Sequence, residues 1–225
     1  GNVEPSTRSV STALNANLAS LFTGGAPTLT SAEIKEVNDA YAKMTSINCY
    51  RNIDEAVRNK TSYAGTIFLD DTYASAYFRK GSLAFPPYGI LASSMENEFI
   101  PMYQRDVQGK KVDTDKEKRD TGMMEFELAF YQGIIRYIHA GYSWTFKGED
   151  GDPSYQSLWT SGLTDPSLIP QYEREFQTYV ASICANGKPT SIDINEFVKW
   201  SNIFGEYSRG YSGKGYKFGN YEFIN

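Results

Sequence analysis

The chain has 225 residues and a mass of 25.3 kDa, and its 40% hydrophobic content is enough to fill one substantial core or two small ones. A formal charge of −5 and a pI near 5.1 would repel a phosphate backbone, and no run of Lys or Arg stands clear of acidic residues, so nucleic acid is not an expected partner. No apolar run reaches the roughly 18 residues that a membrane-spanning helix needs.

Two features of the composition stand out. Aromatic residues make up 15% of the chain, with 17 Tyr against one His and two Cys; large amphipathic rings favour half-wet surfaces where ligands sit. The opening GNVEPSTRS has neither the basic nor the apolar region of a signal peptide, and its initial Gly in place of Met reads as a mature product from which a leader was removed.

Along the chain, helical spacing recurs. Val10, Leu14, Leu18 and Leu21 form one apolar stripe over Ser9 to Leu21, ended by FTGGAP. Thr30 with Glu33 makes a capping box for a second helix with the stripe Ile34, Val37, Tyr41 and Met44. A short helix is expected over Ile53 to Asn59. SYAGTIFLD is strand-like in composition, but without a clear partner it reads as a connection into a helix near Asp71 to Arg79. FPPYG is a stiff break, because two prolines fix the backbone and remove donors. Gly89 to Arg105 reads as helix disturbed at Pro101, and the mixed-charge run QGKKVDTDKEKRD as a solvated loop or helix start. Gly122 to Ala140 is the strongest helix. Asp165 and Pro166 start another with the stripe Leu168, Tyr172, Phe176, Tyr179 and Ile183, stopped by NGKP. Asp193 with Glu196 caps a last helix holding Phe197, Trp200 and Phe204, before a Gly/Tyr-rich tail from Gly205. These signals predict an all-α fold of helical hairpins stacked as a superhelix. They are assigned to a single domain, residues 1–225, with a short polar N-terminal linker and the Gly/Tyr-rich C-terminal tail.

The helix from Gly122 is apolar nearly all round, yet Glu125, Gln132, Arg136 and His139 fall in one narrow sector, since steps of seven, four and three return to one face. That stripe either meets solvent or lines a groove in which Arg136 holds a carboxylate. Beyond it, GYSWTFKGEDGDPSYQSLW interleaves Tyr142, Trp144, Phe146, Tyr155 and Trp159 with Glu149, Asp150 and Asp152. The acidic spacing fails the calcium-loop pattern, and one His with no G-x-S-x-G elbow argues against a Ser-His-Asp hydrolase. The rings, with Tyr88 of AFPPYGI, either cover helix ends or grip a flat apolar ligand or a sugar face. The candidate ligand site is therefore Tyr88, Arg136, Tyr137, His139, Tyr142, Trp144 and Trp159, with no catalytic and no metal-ligating set.

Cys49 and Cys184 are too far apart in sequence for a CxxC metal or redox motif. They read as one structural disulfide, worth roughly 4–5 kcal/mol by loop-closure arithmetic, in a secreted chain and as two buried thiols in a reducing compartment. Pairing in the mature protein is the expectation.

An acidic, Tyr-rich helical chain of this size with FPPYG and AGYSWTFKGEDGDPS loops resembles small surface proteins of Bacteroidetes, and within them is most similar to the HusA-like haemophores. The resemblance implies a secreted or outer-membrane-surface protein with a tetratricopeptide-like superhelix. It would bind haem or iron-free porphyrin and pass it to an outer-membrane receptor, with no enzymatic activity. A SusD-like surface glycan-binding protein, in which aromatic platforms stack on sugars, is the alternative; this chain is short for that family.

Overall fold

A computed structural model describes residues 12–110, 118–140, 166–183 and 193–204. The chain divides into two compact units, Gly1–Val107 and Gln108–Asn225. The described residues are mostly helical, with seven α-helices among them.

In the first unit, α1 (Ala16–Leu21) starts later than its apolar stripe suggests. Asn15 ends the extended segment before it, and the Asn15 side chain accepts from the backbone N–H of Asn17 at 2.9 Å. The capping box of α2 (Ser31–Thr45) is complete: Glu33 N–H donates to Thr30 Oγ1 at 3.2 Å, and Thr30 N–H donates to Glu33 Oε1 at 2.8 Å. Val37, Tyr41 and Met44 face the core as their spacing requires. α3 (Asn48–Lys60) is longer than expected, since no side chain marks its start; it buries Cys49, Tyr50, Ile53, Asp54 and Val57.

The segment expected to connect into a helix near Asp71 to Arg79 instead forms a sheet, so the fold is not purely α. β1 (Ile67–Leu69), β2 (Tyr77–Arg79) and β3 (Ser82–Phe85) are arranged in the order β1-β3-β2. β3 pairs antiparallel with β2 through the two-residue turn Lys80-Gly81, whose φ values of 51° and 77° match the hairpin turn that follows the natural strand twist. It pairs parallel with β1, from Ile67 opposite Leu83 to Leu69 opposite Phe85. The partner that β1 lacked in a local reading of the sequence is thus the far strand of the hairpin.

FPPYG is a tight turn, with Gly89 N–H donating to Pro86 O at 2.9 Å, and a Cβ on Gly89 would run into Pro86 Cγ. α4 (Ala92–Met102) contains Pro101 and passes into a π-helical turn, Tyr103–Val107, as the expected disturbance there requires. Tyr63 Oη donates to Asp106 in that turn, and the Arg105 guanidinium lies 5.1 Å from the Phe78 ring centroid. The sheet is thereby tied to the end of α4.

The second unit contains α5 (Lys118–Ala140), a 3₁₀ turn Pro166–Leu168, α6 (Ile169–Ile183) and α7 (Ile194–Phe204). Asp193 caps α7 by accepting from Asn195 N–H at 2.7 Å. The core is aromatic: Phe126 and Phe130 of α5 meet Phe197 of α7 at ring-centroid distances of 5.0 and 5.7 Å, and Phe176 of α6 meets Trp200 at 5.4 Å. Such pairs prefer tilted, edge-to-face contacts and contribute about 0.5–1.5 kcal/mol each beyond the area they bury.

One charge lies inside this apolar helix. Glu127 has 0% side-chain exposure and pairs with Lys110, at 11%, so the start of the mixed-charge run is anchored against α5 and not solvated as expected. Burial pushes the Lys110 ammonium below its ordinary range, while the Glu127 carboxylate works against that shift. Removing one partner of a buried pair is costlier than replacing both. Lys110→Met is expected to lower stability by about 3 kcal/mol and Lys110→Met/Glu127→Leu by less than that, measured by urea unfolding.

Candidate functional site

The sheet has two unlike faces because side chains alternate along a strand. Ile67, Leu83 and Phe85 are fully buried on one side, where Phe78 meets Phe22 and Tyr63. On the other side Phe68 and Tyr77 are both register partners of Ala84. The small Ala84 lets their rings meet edge to face, with centroids 6.4 Å apart. Arg79, two residues on from Tyr77, points the same way.

Tyr73, from the loop joining β1 to β2, completes this outer face. Its ring centroid is 4.9 Å from that of Tyr77, and the Arg79 guanidinium carbon lies 5.0 Å from the Tyr73 ring and 4.8 Å from the Tyr77 ring. Arg79 Nη1 donates to Tyr73 Oη at 3.0 Å. Asp70 fixes the loop: its carboxylate accepts from Thr72 N–H at 2.9 Å, Thr72 Oγ1 at 2.6 Å and Tyr77 Oη at 2.5 Å. The Thr72 and Tyr77 hydrogen bonds hold its carboxyl below the usual range.

The β1–β2 loop and the turn after β3 leave the same end of the sheet, where Asp70 N–H donates to Phe85 O at 2.9 Å. These two loops carry Tyr73, Tyr88 and Leu91, the large apolar side chains that the first unit exposes among its described residues. Tyr88 is fully exposed and has φ of 64°. A bulky residue rarely adopts that conformation, which costs about 1–2 kcal/mol.

The other candidates belong to the second unit. Arg136, Tyr137 and His139 lie toward the C-terminal end of α5. His139 is exposed in the last turn of α5. Glu125 and Gln132 of the same polar stripe are half-buried. Tyr142, Trp144 and Trp159 lie outside the described residues, as do Glu149, Asp150 and Asp152. Cys49 is a buried free thiol, pushed above its ordinary pKa by burial; Cys184, its expected disulfide partner, lies outside the described residues.

The sequence reading passes over Tyr73, Tyr77 and Arg79, which it places on a helix, and Asp70, which it places in the connection before that helix. The signal that would have found them is the alternation of Tyr77 and Arg79 just before Lys80-Gly81. No group of three His, Cys, Asp or Glu side chains able to hold a metal occurs among the described residues, and no helix there is long and apolar enough to cross a membrane. Comparison with protein-family models, curated proteins and solved structures finds no match for this chain.

A separate buried cluster joins α2 and α3. Tyr41 Oη donates to Asp54 Oδ2 at 2.5 Å, and Arg58 Nε donates to the same oxygen at 3.0 Å. Asp54 is 1% exposed, and its Oδ1 has no hydrogen-bond partner in the structure. Burial raises the Asp54 pKa above 3.8 and Glu55 adds to this, while Tyr41 and Arg58 oppose it. The folded state therefore holds the proton more tightly than the unfolded one. Asp54 contributes stability that is fully present below pH 3.8 and lost as pH rises through the raised folded value. Against Asp54→Asn, the unsubstituted chain is expected to gain stability as pH falls toward 3.8, read from urea midpoints across that range. Tyr88→Gly is expected to leave stability unchanged or raise it by up to about 1 kcal/mol, because relief of strain offsets the added freedom of the unfolded chain; thermal melting checks this.

Proposed function

We propose that the chain captures porphyrin, as haem or in its iron-free form, on an aromatic surface and delivers it to an outer-membrane receptor without catalysing a reaction. The observation that carries the reading is Tyr88: a fully exposed ring, held at positive φ on a turn stiffened by two prolines. Strain of this kind persists where the surrounding structure enforces it, and it concentrates at binding sites. A rigid exposed ring, on a turn that leaves the same end of the sheet as the loop carrying Tyr73, suits a broad apolar face.

In this reading the porphyrin is held by ring contact and by salt bridges from its propionates, not by an axial bond. One His per chain allows no bis-histidine ligation within a monomer. Arg136, Tyr137, His139, Tyr142, Trp144 and Trp159 are the alternative proposed region, where Arg136 would hold a propionate, and the helical hairpins are proposed to stack as a tetratricopeptide-like superhelix. A secreted or outer-membrane-surface location belongs to the same proposal. Surface glycan binding of the SusD-like kind is the second reading, favoured by the Tyr73 and Tyr77 rings on the outer face of the sheet.

Absorbance titration with haemin, protoporphyrin and oligosaccharides separates the two readings. Iron-free protoporphyrin is expected to bind within about tenfold of haemin, a difference of only ~1.4 kcal/mol, with His139→Ala retaining most of the affinity. Tyr88→Ala or the pair Trp144→Ala/Trp159→Ala is expected to weaken binding without unfolding the protein. A haemin affinity about a thousandfold above that of the free porphyrin, abolished with His139, would show instead that a metal bond carries recognition.

A further inference from the structure

We propose that Arg79, held against Tyr73 and Tyr77, anchors a binding site for a carboxylate carried on a ring. Arg79 is exposed and donates one hydrogen bond, to Tyr73 Oη at 3.0 Å. A guanidinium has five N–H donors. No carboxylate among the described residues lies within ion-pair distance of it. Asp70, the nearby acid, is committed to Thr72 and Tyr77.

An exposed arginine ordinarily samples many rotamers, and ordering it on binding costs conformational entropy. Here two rings and the Tyr73 hydroxyl have already imposed that order. The guanidinium carbon sits 5.0 and 4.8 Å from the two ring centroids, and one of its five N–H donors is used by Tyr73, so donors remain for planar, two-pronged recognition of a carboxylate. Tyr73 is 42% exposed and offers an apolar surface beside that charge, so a bare anion would use only half of the site. A porphyrin propionate and an acidic sugar share this chemistry. The site does not depend on the porphyrin reading, and each can fail without the other.

The test follows backbone and Arg79 side-chain NMR signals of the full chain during titration with benzoate, its neutral isostere benzamide, glucuronate, glucose and sulfate. Benzoate is expected to shift the signals of Tyr73, Tyr77 and Arg79 at least about tenfold more tightly than benzamide does. Arg79→Gln should abolish the difference, and Arg79→Lys, which keeps the charge without the fork, should recover only part of it. Both substitutions lie at an exposed position on an edge strand, and unchanged signals from α2 and α3 report an intact fold. Glucuronate binding more tightly than glucose supports the site and names an acidic sugar as a source; benzoate alone supports it and names an aromatic acid. Equal binding of benzoate and benzamide, undiminished benzoate binding by Arg79→Gln, or sulfate binding as tightly as benzoate would overturn the proposal. Haemin binding with no carboxylate preference at Arg79 leaves the porphyrin reading standing without this site, and the reverse result leaves the site without that reading.

Discussion

Everything on the outer face of the first unit depends on the pairing of β3 with two strands at once. β1 alone has three residues and could not persist, since a short strand gains stability only through its neighbours. The Lys80-Gly81 turn brings β2 onto one side of β3, and the parallel register of Ile67 with Leu83 brings β1 onto the other. That double pairing sends Ile67, Leu83 and Phe85 inward and Phe68, Tyr77 and Arg79 outward. It also fixes both aromatic loops at one end of the sheet. A register slip of one residue would invert the faces and bury Arg79.

Polar groups inside both units follow one rule: each is placed where a second element must come to meet it. Asp54 draws Tyr41 of α2 and Arg58 of its own helix to one oxygen, Asp106 draws Tyr63, and Glu127 draws Lys110. A carboxylate removed from water is expensive, and hydrogen bonds recover part of that cost only in one geometry. Such groups contribute less to net stability than the Phe126, Phe130, Phe176, Phe197 and Trp200 cluster. They restrict how the elements can dock, which an apolar stripe alone does not.

The helices were legible because their signals are local. The Thr30–Glu33 capping box, the Val37, Tyr41 and Met44 stripe, the disturbance at Pro101 and the core positions Phe176, Phe197 and Trp200 are each set by residues within a few turns of one another. The sheet was not, because β1 finds its parallel partner only in the second strand of the hairpin that follows it, and a segment of three residues carries too little periodicity to announce itself. The charges were misread for a related reason. Lys110 looked solvated in a run of mixed charges, and Glu127 was passed over among apolar neighbours, since their pairing spans 17 positions and belongs to neither local pattern. Among the candidate ligand residues, the exposed turn position of Tyr88 was legible because Pro-Pro-Tyr-Gly dictates its own turn. Tyr73, Tyr77 and Arg79 come together only through the sheet.

Cys49 gives the first unit an internal reporter. Its free thiol is buried on the apolar side of α3, and burial keeps it protonated. Alkylation requires a thiolate in contact with reagent, so Cys49 reacts when α3 separates from its neighbours. When reclosing outpaces chemistry, the labelling rate measures the free energy of that opening. Mass spectrometry of the Cys49 peptide therefore reads the local stability of α3 without any introduced probe, and any ligand that steadies this helix would register as slower labelling.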